Sequence, residues 1–335
     1  APSTLYHTPR PRGAGRRAWP RETMARIIIR RLLALPFVVL SVTFLTFIVG
    51  YLAPGDPILN LMGNNRDPNV YANLRRLYGL DLPWWEQYGA YLKGLLQGNL
   101  GLSYRYAQRP VSDLLAGGVS VSLQLGLTAL AGALLIGVPL GTFAGLRRNS
   151  LADRAVMAPM LALYAIPSFV LIPALQWLNF RAYNRGWPSL PAAGWGTWQH
   201  WVMPVMVLMA ASLGYISRLT RASVVEVTAQ DYVRTARGKG LPERAVRIGH
   251  ILRNALLPIV TVVGPSIAFL VTGAFVVEQL FSIPGIGFLS VQAIQQRDYP
   301  VIQGTTVILA LAVVAMNLVT DLVYTLLDPQ VRVGN

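Results

Sequence analysis

The chain has 335 residues, of which 53% are hydrophobic and only 13% charged, with no cysteine and a formal charge of +15. Charged residues make up roughly a quarter of an ordinary soluble domain, so this composition excludes one and requires most of the chain to face lipid or itself. The absence of cysteine excludes disulfides, thiolate metal sites and thiol nucleophiles, and the basic excess follows the loops instead of gathering on one soluble face, which argues against nucleic acid.

Residues 1–23 (APSTLYHTPRPRGAGRRAWPRET) are rich in Pro and Arg, carry no hydrophobic pattern and lack an initiating Met. They read as a disordered leader, with an organelle transit peptide as the alternative. Met24 opens a basic flank that leads directly into a retained first span, residues 24–54. Uncharged runs at 32–54, 114–146, 155–180, 186–217, 254–277 and 299–320 each exceed the roughly 20 residues that cross a bilayer core as a helix. The run from 186 begins with turn-forming and Trp residues, so an interfacial loop there precedes a helix from about Trp201. Six spans result.

Between the first two spans lies a segment of about sixty residues, 55–113, too long for a simple connection. Pro54-Gly55-Asp56-Pro57 ends the first helix, and 74–80 and 84–96 read as short amphipathic helices. Trp84, Trp85, Tyr88 and Tyr91 on the second of these suit either a membrane surface or a partner protein. Pro36, Pro139, Pro159, Pro167, Pro173, Pro204 and Pro265 fall in or near spans and predict bends. Gly126, Gly132, Gly137, Gly141 and Gly145 would let the second span approach another helix closely. No internal repeat is evident, which counts against inverted-repeat transporters.

Twenty of the 29 basic residues fall on one side when alternate loops are assigned to opposite faces, and nine on the other. Basic residues in short loops stay cytoplasmic, so both termini lie inside and 55–113 lies outside. The three His residues stand far apart, and no HExxH, GxSxG or GxxxxGK[ST] occurs. The sequence therefore offers no catalytic residues, no metal ligands and no loop to cradle ATP phosphates. If ATP powers transport, another chain holds it. Asp321, one turn after Asn317, is the acid best placed inside a span, where a carboxylate is either functional or paired at the interface.

The most polar mid-chain segment is DYVRTARGKGLPERAVRIGHILRNALLP, from Asp231 to Pro258. Residues 232–238 can form two helical turns, and Gly240 suits a left-handed C-terminal cap. Pro242 and Glu243 suit the first turn of a second helix. Ala245, Ile248, Leu252 and Ala255 would share one face of it at α-helical spacing. The pattern predicts a compact cytoplasmic knob, with a solvated loop as the alternative.

Several stretches together resemble the permease subunits of bacterial dipeptide and oligopeptide ABC importers. They are Arg30-Arg31-Leu32 with Ala53-Pro-Gly-Asp-Pro57; Tyr78-Gly-Leu-Asp-Leu-Pro83 with Gln87-Tyr88 and Gly98-Asn-Leu-Gly101; His200-Trp-Val-Met-Pro204; RLTRASVVEVTAQDYVRTARGKGL with LRNALLP; and VVEQLFSIPGIGFLSVQAIQQRDYPVIQG. The resemblance implies an all-α membrane protein with six transmembrane helices of the type I ABC importer class, both termini cytoplasmic. Its core would be 114–330, with five helices and a coupling loop at 226–257 that inserts into a groove of an ATPase subunit. Asp231, Tyr232, Arg234, Thr235, Ala236, Arg237, Gly240, Leu241 and Arg244 would form that docking loop. Where the wider superfamily carries Glu-Ala-Ala followed by Gly, this chain has Arg234-Thr235-Ala236 and Gly240.

The implied function is half of a pathway for ATP-driven import of short peptides. The implied partners are a second homologous permease, two ATPase subunits that bind ATP and Mg, an external substrate-binding protein and membrane lipid. Pathway or gate residues are expected at Ser282, Pro284, Gly285, Asn317 and Asp321. The rival reading is an ion-driven secondary transporter using Asp321 and Glu278 to carry protons.

Overall fold

The computed structural model describes residues 24–62, 67–106, 109–271 and 275–327, so the predicted leader lies outside it. Helices account for most of the described residues, and no strand occurs among them. α1 (Met24–Leu52) is followed by α2 (Pro57–Met62), α3 (Pro68–Leu77) and α4 (Trp84–Leu96). Next come α5 (Val111–Leu146), α6 (Leu151–Ala165), α7 (Ser168–Asn184) and α8 (Trp198–Thr228). α9 (Asp231–Gly238) precedes a run made of α10 (Glu243–Ala245), a π-helical stretch (Val246–Leu252), α11 (Arg253–Ala255) and α12 (Leu257–Val271). The chain closes with α13 (Phe275–Leu280), α14 (Ile286–Gln296) and α15 (Tyr299–Leu327).

Five helical stretches are long and apolar enough to cross a membrane, and the count is six if the bent pair α6 and α7 is one broken span. The predicted third span is thus two helices meeting at 106°. The break has a local cause. Pro167 has no N–H to continue the ladder and pushes the residue before it out of helical space, and Ile166 is extended at φ −80°, ψ 118°.

α5 and α8 form the central pair. At 36 residues, α5 is about 54 Å long, well beyond the roughly 30 Å hydrocarbon core, so it projects from the bilayer. Its glycines explain the close approach: a Cβ at Gly137 would stand 3.2 Å from Ile216 and Ser217 of α8, and one at Gly145 would stand 2.8 Å from Val224. Backbones that touch this way gain dispersion contacts that lipid cannot replace. Gly126 is likewise buried.

α6 starts at a Ser150 cap, whose Oγ accepts from the Asp153 amide at 3.1 Å. Asp153 then bridges to α8, accepting from Arg221 Nε and Nη2, both at 2.7 Å, and from the Asn149 amide at 2.9 Å. This two-pronged bond fixes the end of α5–α6 against α8. α1 sits at the periphery against α15, and Leu33, Phe37, Leu45 and Val49 on its outer face are exposed, as lipid-facing residues would be.

Candidate functional site

Two regions carry the polar side chains that apolar packing does not explain. The first is the knob that follows α8. Asp231 in the first turn of α9 complements the helix dipole, and the helix ends at Lys239 before Gly240, whose φ is +76°. Only a residue without Cβ adopts that angle at no cost, and the Gly240 amide then donates to the Arg237 carbonyl at 2.9 Å. Pro242 is the extended N-cap of the next helix.

The knob has an inside and an outside. Val233 and Ala236 are buried with Val246, Ile251 and Ala255 beneath Val224 of α8. Asp231, Tyr232, Arg234, Thr235, Arg237, Gly240, Leu241 and Arg244 all face outward. Ala236 therefore seats the helix and does not lie on its outer surface. Arg237 donates to both Glu243 oxygens at 3.0 and 3.3 Å, and Arg247 to Oε1 at 3.4 Å, which brackets the turn. The Glu243 hydrogen bond raises the Arg237 pKa above its ordinary value. Such exposed pairs contribute little individually.

The expected face of the second helix holds only in part, at buried Ala255 and half-buried Leu252. Ala245 is exposed and Ile248 is 55% exposed, while the buried set is Val246, Ile251 and Ala255. The reason is the π-helical stretch Val246–Leu252, whose wider turn spaces inward residues five and then four apart. Stretches of this kind concentrate at functional sites.

The second region lies at the opposite end of the bundle. Between α13 and α14 the chain turns at 282–285, with Ser282 at φ +52°. Ser282 and Pro284 are exposed, while Ile283 and Gly285 are buried. Glu278, fully buried, stabilises this turn. Its Oε2 accepts from the amides of Gly287 at 2.8 Å and Phe288 at 3.1 Å, and its Oε1 accepts from Ser122 Oγ of α5 at 2.7 Å. Ser122 Oγ in turn accepts from the Ile286 amide at 2.9 Å. The carboxylate therefore caps the start of α14, where helix amides lack partners.

Beyond the end of α14, Asp298 is buried and accepts from Ser103 Oγ and from the amides of Tyr104 at 3.1 Å and Arg105 at 3.2 Å. Arg297, left-handed at φ +57°, places its guanidinium against Gly55. The segment between α1 and α5 is thus fastened to the α14–α15 junction at two points. Within it Tyr88 packs on Phe44 and Phe47 of α1 and shares a 3.2 Å hydrogen bond with Thr43, whereas Trp84 and Trp85 are exposed. The aromatic row therefore divides between holding the segment on α1 and facing outward.

A cavity of about 450 Å³ lies between this segment, the end of α1 and the start of α15, lined by Phe47, Tyr51, Tyr78, Tyr91, Arg75 and Tyr299 among others. The Tyr91 hydroxyl is buried without a partner among the described residues, and burial, then Tyr88, pushes its pKa up to about 12. Tyr71 instead donates to Asp56 at 2.5 Å, and that bond, ahead of burial, raises its pKa. Among the described residues no group of three His, Asp or Glu is placed to hold a metal.

Asn317 and Asp321 both fall on α15, far along the chain from the turn at 282–285, and the Asp321 side chain is outside the described residues. The structure gives roles to residues to which the sequence alone assigns none: Ser122, Ser103 and Asp298, and the Asp153–Arg221 pair. Glu278 appeared there only as a proton carrier. A signal was present for Glu278, which interrupts the apolar stretch AFVVEQLF, whereas Asp153 and Asp298 lie in polar stretches beside Arg154 and Arg297.

A bundle of membrane-length helices with a polar knob at its basic end defines a polytopic membrane protein. Residues 137–333 match the model of the binding-protein-dependent transport system inner membrane component family, and 24–112 match its N-terminal membrane component. The chain belongs to that family and is an inner-membrane component. It is 40% identical over 309 residues to the dipeptide transport system permease protein DppB of Bacillus subtilis (strain 168), covering 92% of this chain and 98% of that one. It is 38% identical to the oligopeptide transport system permease protein OppB of Haemophilus influenzae, covering 92% of this chain and all of that one. It is 37% identical to the glutathione transport system permease protein GsiC of Escherichia coli (strain K12), covering 92% and 99%. An inward-facing structure of the MetNI methionine ABC transporter shares the fold at a TM-score of 0.54 and 18% identity, covering 64% of this chain and 96% of that one.

Proposed function

We propose that this chain forms half of the pathway through which an ATP-driven importer takes up short peptides. A second related permease supplies the other half. Two ATPase subunits bind ATP and Mg on the cytoplasmic side, and an external binding protein delivers substrate to the segment 55–113. The basic end of the bundle, with both termini, faces the cytoplasm. Dipeptide, oligopeptide and glutathione permeases at 37–40% identity over 92% of the chain support a peptide substrate.

The reading rests most directly on the knob. α9 is seated on α8 by buried Val233 and Ala236, and it presents Asp231, Tyr232, Arg234 and Thr235 outward. A helix so seated passes force from a partner's groove into α8 and, through the π-helical stretch, into α12. ATP-driven closure of the ATPase pair then biases the permease between two packings, as any coupled transition requires. Ser282, Pro284 and Gly285 form the gate on the external side, and Asn317 and Asp321 belong to the pathway farther in. The ion-driven alternative is disfavoured because the Glu278 carboxylate is engaged by three hydrogen bonds as a helix cap.

Gly240→Pro tests the reading. It replaces a φ of +76° with one near −65° and removes the amide that closes the turn. Assembly with the ATPase subunits should be lost in co-purification, along with stimulated hydrolysis. Unchanged co-purification and hydrolysis would defeat the docking assignment.

A further inference from the structure

A buried carboxylate stands at each end of α14. At its start Glu278 holds the amides of Gly287 and Phe288 and the hydroxyl of Ser122, and a Cβ at Gly118 of α5 would lie only 3.2 Å from the Ile286 amide. Just past its end Asp298 holds Ser103 Oγ and the amides of Tyr104 and Arg105, residues of the segment that precedes α5. Both carboxylates are fully or almost fully buried, at 0% and 1% exposure. Leaving such a group short of donors costs more than leaving a neutral one, so α14 cannot tilt or slide independently of either attachment. At 11 residues it is about 16 Å long, and it connects the loop at 103–105 to the turn at 282–285. That turn is held by Ile283 on its buried side and leaves Ser282 and Pro284 free on the other.

We propose that α14 is a strut that relays engagement of the external segment by the delivery protein to the turn at 282–285, with Asp298 and Glu278 as the positioning residues at its two ends. This rests on the importer reading above. The relay is mechanical: a displacement of 103–105 is carried by Asp298 into α14, and Glu278 keeps the start of α14 and the turn moving as one body. Asp298 itself touches no substrate. Its removal therefore separates binding of the delivery protein from the response of the gate.

The chain has no cysteine, so Ser282→Cys accepts a single nitroxide when the full complex is assembled with cysteine-free partners in nanodiscs. Adding peptide-loaded binding protein to this labelled complex should change the spin-label spectrum and stimulate ATP hydrolysis. In Asp298→Asn, binding-protein affinity and basal hydrolysis should stay within about twofold, while stimulation falls about fivefold or more, in the range of ordinary coupling energies, and the label stops responding. Ser103→Ala, which removes one donor and keeps the carboxylate, should show a smaller loss in the same direction, and it decides the matter if Asp298→Asn does not assemble. A label response and stimulation equal to the unsubstituted complex in the variant that assembles would overturn the strut. Absence of any response in the unsubstituted complex would instead overturn the importer reading, and the strut with it.

Discussion

Val233→Ala separates the inner from the outer face of the knob. Val233 is fully buried among Ala236, Val246, Ile251 and Ala255. Truncation removes two methyl groups from that pocket, about 1.6 kcal/mol at roughly 0.8 kcal/mol each. The unfilled cavity brings the loss to about 2–3 kcal/mol. Because about 1.4 kcal/mol is a factor of ten, the population with α9 unseated from α8 should rise roughly 30- to 140-fold. Hydrogen exchange over 231–241 reads this directly in the permease alone, through amides such as Gly240 and Leu241, which donate to Arg237 and Ala236. Arg234→Ala is the control: Arg234 is exposed and its pairing with Asp231 is a 3.5 Å surface contact, so exchange should barely change. Equal exchange in the two variants, or none in Val233→Ala, would refute the inward seating of α9.

Asp153→Asn should lower stability by about 2 kcal/mol, below the roughly 3–5 kcal/mol of a fully buried pair because Arg221 can regain water; thermal unfolding in detergent measures it. Gly141→Val should lower the same melting temperature or prevent folding, since its Cβ would press on the Ser217 carbonyl and lie 2.7 Å from Thr220 Cβ. Gly132→Ala should be mild in comparison, because among the described residues it meets only the flexible Met209 side chain, at its sulfur. Tyr91→Phe deletes a buried hydroxyl that has no partner among the described residues and should leave stability unchanged or slightly higher. Tyr71→Phe removes the 2.5 Å bond to Asp56 and should cost about 1 kcal/mol or more.

Hydropathy made the spans legible, and turn chemistry made the knob legible, because Gly240 and Pro242 impose local geometry whatever surrounds them. The small residues of α5 likewise announced a close helix contact, and α8 is the helix they meet. What stayed hidden depends on tertiary placement. Helical spacing put Ile248 inside the knob, but one widened π-helical run rotated it outward, and no single-residue propensity signals such a run. Pro167 is one of seven prolines predicted to bend spans, yet among the described residues it alone stands at a break where a bent pair of helices meets, at 106°. Ser103 and Asp298 are almost two hundred residues apart, so their bond had no local signature. Glu278 invited a proton-carrying role because a lone acid among apolar residues is costly; its partners are the amides of α14, known only once the chain turns back.

The most direct test of ATP-driven import is peptide uptake by proteoliposomes holding this permease and its partner permease, with and without the two ATPase subunits, in the presence of the binding protein. Uptake that requires both the ATPase subunits and ATP, and that Gly240→Pro abolishes, is the expected result. Uptake that persists on an ion gradient with no ATPase present would contradict it.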